Sequence, residues 1–351
     1  MKKAIAFVMI VSVAALAAGE FATGGSEMVR FRGSGLFRWD FYGASGANPE
    51  NSMSSCAIID WLPKLNDNVD GQFSLELYSS SGNIRLTDLF LNLHLTENIT
   101  LKGGQFKLPF GYANTLSSAT MPFAYRAAVL PAPDFMAYGG RDIGACLSVG
   151  LDLMALDLAL TNGTGNNSMA DTTVNKQFTA RLTADPMDWL KLGVSAAIIG
   201  QPEQQSGEIA VGSWNSMALD IFAVADYALS ESADLHFAGE YMNLGYAGPE
   251  VEGFEYNDGN VMLFTVAASF ATGADFVQSV RPAVRFEVFS PMNYYLPNSE
   301  PEDNKTAIDF CLNLDLFSRN NTLQIGGRNY GYENENLSGY TDLYANWRMN
   351  F

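Results

Sequence analysis

Cysteine and histidine are scarce in this chain of 351 residues, and that scarcity excludes a good deal. Cys56, Cys146 and Cys311 are odd in number, far apart and never in C-x-x-C spacing, so neither a disulfide framework nor a zinc site is suggested. They read as small, partly buried thiols. His94 and His236 are the only histidines, and no metal-ligand or Ser-His-Asp pattern can be assembled around either. No catalytic residue, metal or other cofactor is therefore expected. Positive charge is thin as well: 20 Lys and Arg stand against 38 Asp and Glu, a net charge of −18, which makes nucleic acid a poor partner.

Long hydrophobic runs are missing too, with one short exception. Lys2 and Lys3 precede an apolar stretch that ends in small residues at Ala17 and Ala18. This predicts a secretory signal peptide over residues 1–18, with residues 19–351 as one domain whose charge, without those two lysines, falls from −18 to −20. The stretch is too short to span a bilayer comfortably, which takes about 20 residues. Yet 48% of all residues are hydrophobic. Any later membrane crossing has to be made by strands.

What the sequence does contain is alternation of period two, the mark of a strand with one wet and one apolar face. Leu343, Ala345, Trp347, Met349 and Phe351 fall on one face, and Asp342, Tyr344, Asn346, Arg348 and Asn350 on the other. The same rule sets Phe31, Phe37, Trp39 and Phe41 against Arg30, Arg32, Arg38 and Asp40. It places Gln177, Thr179 and Arg181 opposite Phe178, Ala180 and Leu182, and Asp309, Asn313 and Asp315 opposite Ile308, Phe310 and Leu312.

Sixteen strands follow, near 28–41, 52–62, 70–79, 84–95, 98–109, 141–150, 153–161, 175–184, 189–200, 214–228, 233–245, 260–271, 277–289, 305–317, 321–330 and 340–351. Soluble sandwiches use strands nearer five or six residues, so this length favours a membrane. Trp39, Phe41, Trp61, Trp189, Trp214 and Trp347 lie near strand ends, as interfacial girdles require. Long connections alternate with tight ones such as Asp185-Pro186-Met187-Asp188 and Ser318-Arg319-Asn320. The long ones carry acids from Glu50 to Glu335 against Arg126 alone, giving one rim an acidic character.

The expected fold is thus all-β: a transmembrane antiparallel barrel of about sixteen strands, in the outer membrane of a Gram-negative cell and in contact with its lipids and lipopolysaccharide. Residues 110–140 break the pattern. They contain Pro122, Pro131 and Pro133, and are too apolar for a free external loop through Met121, Phe123, Tyr125, Val129, Leu130, Phe135, Met136 and Tyr138. In a sixteen-stranded barrel, the surface available to cover them is the inner wall.

Four segments carry a family resemblance: Gly104-Gln105-Phe106-Lys107-Leu108-Pro109-Phe110-Gly111, Arg141-Asp142-Ile143-Gly144, Leu160-Thr161-Asn162-Gly163-Thr164-Gly165 and Arg281-Pro282-Ala283-Val284-Arg285-Phe286-Glu287. In order and spacing this succession resembles the phosphate-selective porin O and P family. The resemblance implies a barrel, often a homotrimer, whose third external loop folds inward to narrow a pore for small solutes or ions. It places Lys107, Arg126, Arg141 and Asp142 at the constriction, where Asp134 would oppose the cations, and Arg141 with Asp142 either hold the loop or meet solute.

Arg30, Arg32, Arg38, Arg181, Arg281 and Arg285 would line the pore wall. Phosphate-selective members are expected to show an arginine ladder and a lysine cluster; here these bases share the wet faces with Asp40, Glu76, Asp88, Asp220, Glu240, Glu287, Asp309 and Asp315. The expected function is passive diffusion with slight anion preference in the narrow section. The competing reading is a structural or adhesive barrel with no open pore.

Overall fold

The fold was analysed in a computed structural model, which describes residues 29–42, 52–78, 83–130, 133–168, 176–201, 204–206, 209–211, 214–246, 255–291, 293–295, 304–333 and 339–351. The expected leader and most of the acidic connection residues lie outside these. Sixteen antiparallel strands close into one barrel. In chain order they are β1 (Val29–Tyr42), β2 (Ser52–Asn66), β3 (Val69–Tyr78), β4 (Ile84–Thr96), β5 (Ile99–Lys107) and β6 (Arg141–Leu151). Next come β7 (Met154–Thr161), β8 (Gln177–Met187), β9 (Leu190–Gln201), β10 (Trp214–Ser230) and β11 (Ala233–Tyr246). The circuit is completed by β12 (Gly259–Ala271), β13 (Val277–Ser290), β14 (Lys305–Leu316), β15 (Asn321–Tyr332) and β16 (Tyr340–Asn350). Two short ribbons, Gln204–Ser206 with Ile209–Val211 and Glu255–Asn257 with Asn293–Tyr295, stand in the long connections.

Closure is made by β1 and β16, in register from Ser34 opposite Asn350 to Tyr42 opposite Asp342. Backbone hydrogen bonds between Gly33 and Phe351, at 2.9 and 3.0 Å, carry the pairing to the last residue. Alternation decides which side chains face out. Leu343 and Trp347 are 41% and 39% exposed, whereas Tyr344, Asn346 and Arg348, of the opposite parity, are buried. The barrel is therefore apolar outside and polar inside, the inverse of a soluble domain and the arrangement a lipid surround demands.

The turns after β2 and β8 depart from the sequence reading, β2 running past its expected end to Asn66. β8 does not stop at Ala184 but runs through Asp185 and Pro186 to Met187, with the turn at Asp188 and Trp189. A register shift between Ala184 and Met187 absorbs Pro186, which has no N–H for the ladder. Asp185 stays in place because its N–H reaches Leu153 O at 2.8 Å.

Candidate functional site

Between β5 and β6 the chain leaves the wall for residues 108–140, forming two short helices, α1 (Tyr112–Thr115) and α2 (Pro133–Gly139). The base of this segment is cinched. Leu108 N–H donates to Gly140 O at 2.9 Å, and the buried Asn114 amide bridges the carbonyls of Leu108, Phe110 and Gly139. Its apolar side chains Phe110, Val129, Leu130, Phe135 and Tyr138 pack on an unusual patch of inner wall: Ile199, Met242, Leu244, Val261, Leu263 and Phe289. Phe123 packs on Ala283, Cys311 and Tyr344. The hydrophobic content of the segment is thus buried inside the barrel.

Its polar backbone is satisfied by side chains of the wall. Asn350 donates to Ala119 O at 3.0 Å, Arg348 to Met121 O at 2.7 Å, Asn313 to Pro122 O at 3.0 Å and Arg285 to Tyr125 O at 3.1 Å. Arg328 reaches Arg126 O at 2.5 Å, and Glu287 accepts from Ala128 N–H at 2.5 Å. Farther round, Glu240 accepts from the N–H groups of Tyr112 and Ala113, at 2.5 and 2.9 Å, and Gln177 donates to Tyr138 O at 3.1 Å. A buried charge node, Asp309 with Arg285 and Arg328 beside Glu287, organises the middle of this track. The segment is therefore fastened along the wall from β8 to β16. Tyr125 extends the track to β1, bonding Asp40 while Arg38 stacks over its ring at 4.7 Å.

Space remains on the other side. A cavity of about 360 Å³ lies between the segment and β1–β3, lined by Arg38, Ser54, Cys56, Glu76, Tyr78, Ser118 and Arg126 among others. Another of about 480 Å³ lies at the turn end, lined by Tyr112, Met121, Asp226, His236, Arg281 and Arg319.

The residues singled out from sequence are distributed as follows. Lys107 donates to Leu116 O at 3.4 Å; Arg126 donates to Leu116 O and to Ser118 Oγ, at 3.3 and 2.9 Å. Among the described residues neither has a carboxylate in ion-pair reach. Burial first, then the Arg141 charge, pull the Arg126 pKa below its ordinary value, with Glu76 and Tyr78 opposing. Arg141 is paired with Asp88, through Nε and Nη2 at 2.9 and 3.0 Å, and not with Asp142. Asp142 is buried and accepts the N–H groups of Ile143 and Gly163, at 2.8 and 2.5 Å, so it shapes the next connection instead. Asp134 belongs to α2, but its side chain lies outside the described residues.

On the wall, Arg32 pairs with Asp60 at 2.8 Å, Arg38 with Asp40 at 2.9 Å, Arg181 with Asp157 at 2.9 Å and Arg281 with Asp315 at 2.6 Å. Arg30 is exposed near the turn end of β1. Arg285 lies sealed beneath the segment, where solute cannot reach it. The sequence alone gives no sign of a role for Arg328, and shows Glu76, Asp88 and Glu240 only as wet-face acids. Their inward parity was legible; their partners, which are mostly backbone atoms or residues far along the chain, were not.

The model of the phosphate-selective porin O and P family matches residues 37–262, well over half of the chain. The chain belongs to this family. It is thus an outer-membrane porin, a channel for small solutes. No curated protein matches its sequence. Among solved structures the porin is similar to Pseudomonas putida OprB, with a TM-score of 0.66 at 7% identity, covering 92% of this chain and 94% of that one. It is also similar to Salmonella typhi OmpF in complex with daunomycin, with a TM-score of 0.59 at 11% identity, over 92% and 97% of the two chains. Vibrio cholerae OmpT in its trimer form gives 0.56 at 12% identity, over 92% and 99%. At these identities the likeness is one of fold.

Proposed function

We propose that this porin is a passive diffusion channel, without a catalytic step, whose aperture is set by residues 108–140 and whose narrow section weakly prefers anions. The observation that carries this reading is the charge balance around Arg126, which lines the cavity beside β1–β3 with Arg38 and Glu76 and lies close to Lys107 and Arg141. Arg38 and Arg141 are neutralised by Asp40 and Asp88. Among the described residues Lys107 and Arg126 are left without carboxylate partners, against Glu76, which accepts from Tyr78 Oη at 2.7 Å. Wall charges act over about 8 Å at physiological salt, so a small positive excess in a narrow passage outweighs net negative charge elsewhere. The acidic rim expected of the outer connections would partly offset it. Secretion by a cleaved leader and assembly as a homotrimer in contact with lipopolysaccharide complete the proposal.

Reversal potentials across a salt gradient test it. The native channel should show mild anion preference, and Arg126→Glu and Lys107→Glu should each move it toward cations. Strong cation preference unchanged by either substitution would overturn the assignment.

A further inference from the structure

At the first turn of the inward segment, three consecutive backbone N–H groups point into one buried carboxyl site. Gly111 N–H donates to Ser195 Oγ at 3.0 Å, and Ser195 in turn donates to Asp220 Oδ2 at 2.6 Å. Tyr112 and Ala113 donate to the two oxygens of Glu240. Asp220 stands opposite Met242 and Glu240 opposite Phe222, so the two acids are diagonal neighbours on the inner face of β10 and β11, with their carboxyls in hydrogen-bond reach. Both acids are buried, at 1% and 6% exposure, and no donor of the described residues satisfies Asp220 Oδ1. Two carboxylates that close, without a cation, cannot both be charged; a proton held between them removes the conflict.

Among the described residues, the cations nearest this pair are already committed to other acids. From β8, Arg181 is engaged with Asp157; from β13, Arg285 is engaged with Asp309 and Glu287. His236 of β11 bonds Asp226 of β10 at 2.6 Å. Tyr112, on the segment itself, stacks on Phe222 at 5.5 Å. Burial, followed by Asp226 and Glu240, pushes its hydroxyl up to about 12, so it stays neutral through the range considered below.

We propose that Asp220 and Glu240 share one proton and together clamp the first turn of the inward segment, so that the pore aperture responds to alkaline pH. Glu240 is the positioning residue, because it holds two N–H groups of the turn. Asp220 shares the proton with it and orients Ser195 toward the third. When that proton passes to solvent, two facing anions separate, Glu240 swings from the turn, and residues 111–115 loosen against the wall. The inference rests on the reading of 108–140 as the constriction.

The test uses the full-length protein in planar bilayers, with single-channel conductance followed from about pH 6 to about pH 10. The native channel should widen reversibly, by roughly 1.5-fold or more in conductance. Asp220→Asn still accepts from Ser195 and offers Glu240 a permanent N–H. It should hold the low-pH conductance throughout. Glu240→Ala should already be wide at the acid end. Hydrogen exchange of the native protein at Gly111, Tyr112 and Ala113, relative to intrinsic rates, should accelerate in step with conductance, and this readout needs no variant to fold. A flat native profile, unchanged protection of those amides, or an Asp220→Asn channel that still titrates would overturn the clamp. Deletion of residues 118–128 separates the two failures: unchanged conductance defeats the constriction reading itself, whereas raised conductance with a titrating Asp220→Asn defeats the clamp alone.

Discussion

At the scale of single residues, the buried node around Asp309 shows how charge is tolerated inside the barrel. Asp309 is fully buried and accepts from Arg285 Nη2 at 2.8 Å and Arg328 Nε at 2.7 Å, while both arginines also hold the inward segment by its carbonyls. Asp309→Asn leaves two buried guanidinium groups short of counter-charge. It should destabilise the barrel by about 3 kcal/mol, read as a lower urea midpoint in detergent. Gly104 offers a steric counterpart. Its φ is +132°, and a Cβ there would sit 2.2 Å from Leu89 O. Gly104→Ala should therefore cost on the order of 1–3 kcal/mol by the same assay. Neighbouring residues of a strand point to opposite faces, which is why Arg141 and Asp142 take separate partners. That much was legible from their adjacency, but Asp88 as the partner of Arg141 was not, since register between strands cannot be read from one strand alone.

At the scale of elements, the sixteen strands were legible because alternation over ten or so residues leaves little freedom in extent or facing. β8 ran past its expected end because a bulge admits Pro186, and a bulge leaves no mark on hydrophobic period. Residues 108–140 were legible as an inward element by their apolar content, from Phe110 to Tyr138. How they are held was not legible, because the groups being held are main-chain atoms, common to every sequence. Deletion of residues 118–128 should raise single-channel conductance while the heat-resistant electrophoretic mobility of the barrel is kept. Unchanged conductance in a folded deletion would remove the segment from the permeation path.

At the scale of the whole molecule, closure concentrates on one seam. Phe351 bonds Gly33 through both backbone groups and lays its ring where a Gly33 Cβ would be, 2.5 Å from the ring carbon. Gly33→Val should slow barrel assembly and cost about 1–3 kcal/mol through overpacking, seen as a larger unfolded band in refolding time courses. The remaining strands carry no such dependence on a terminal residue. The inward segment, by contrast, is gripped through its main chain by Asn350, Arg348, Asn313, Arg285, Arg328, Glu287 and Glu240. A scaffold that grips peptide groups is indifferent to those side chains that turn away from it, as Phe123 and Tyr125, seated in the wall, do not. Shape and chemistry are thereby written in different places: the wall dictates the path of residues 118–128, while positions such as Ser118 and Arg126 are left to vary. A lineage, or an engineer, can change what this passage admits by editing the ribbon and leaving its mould intact.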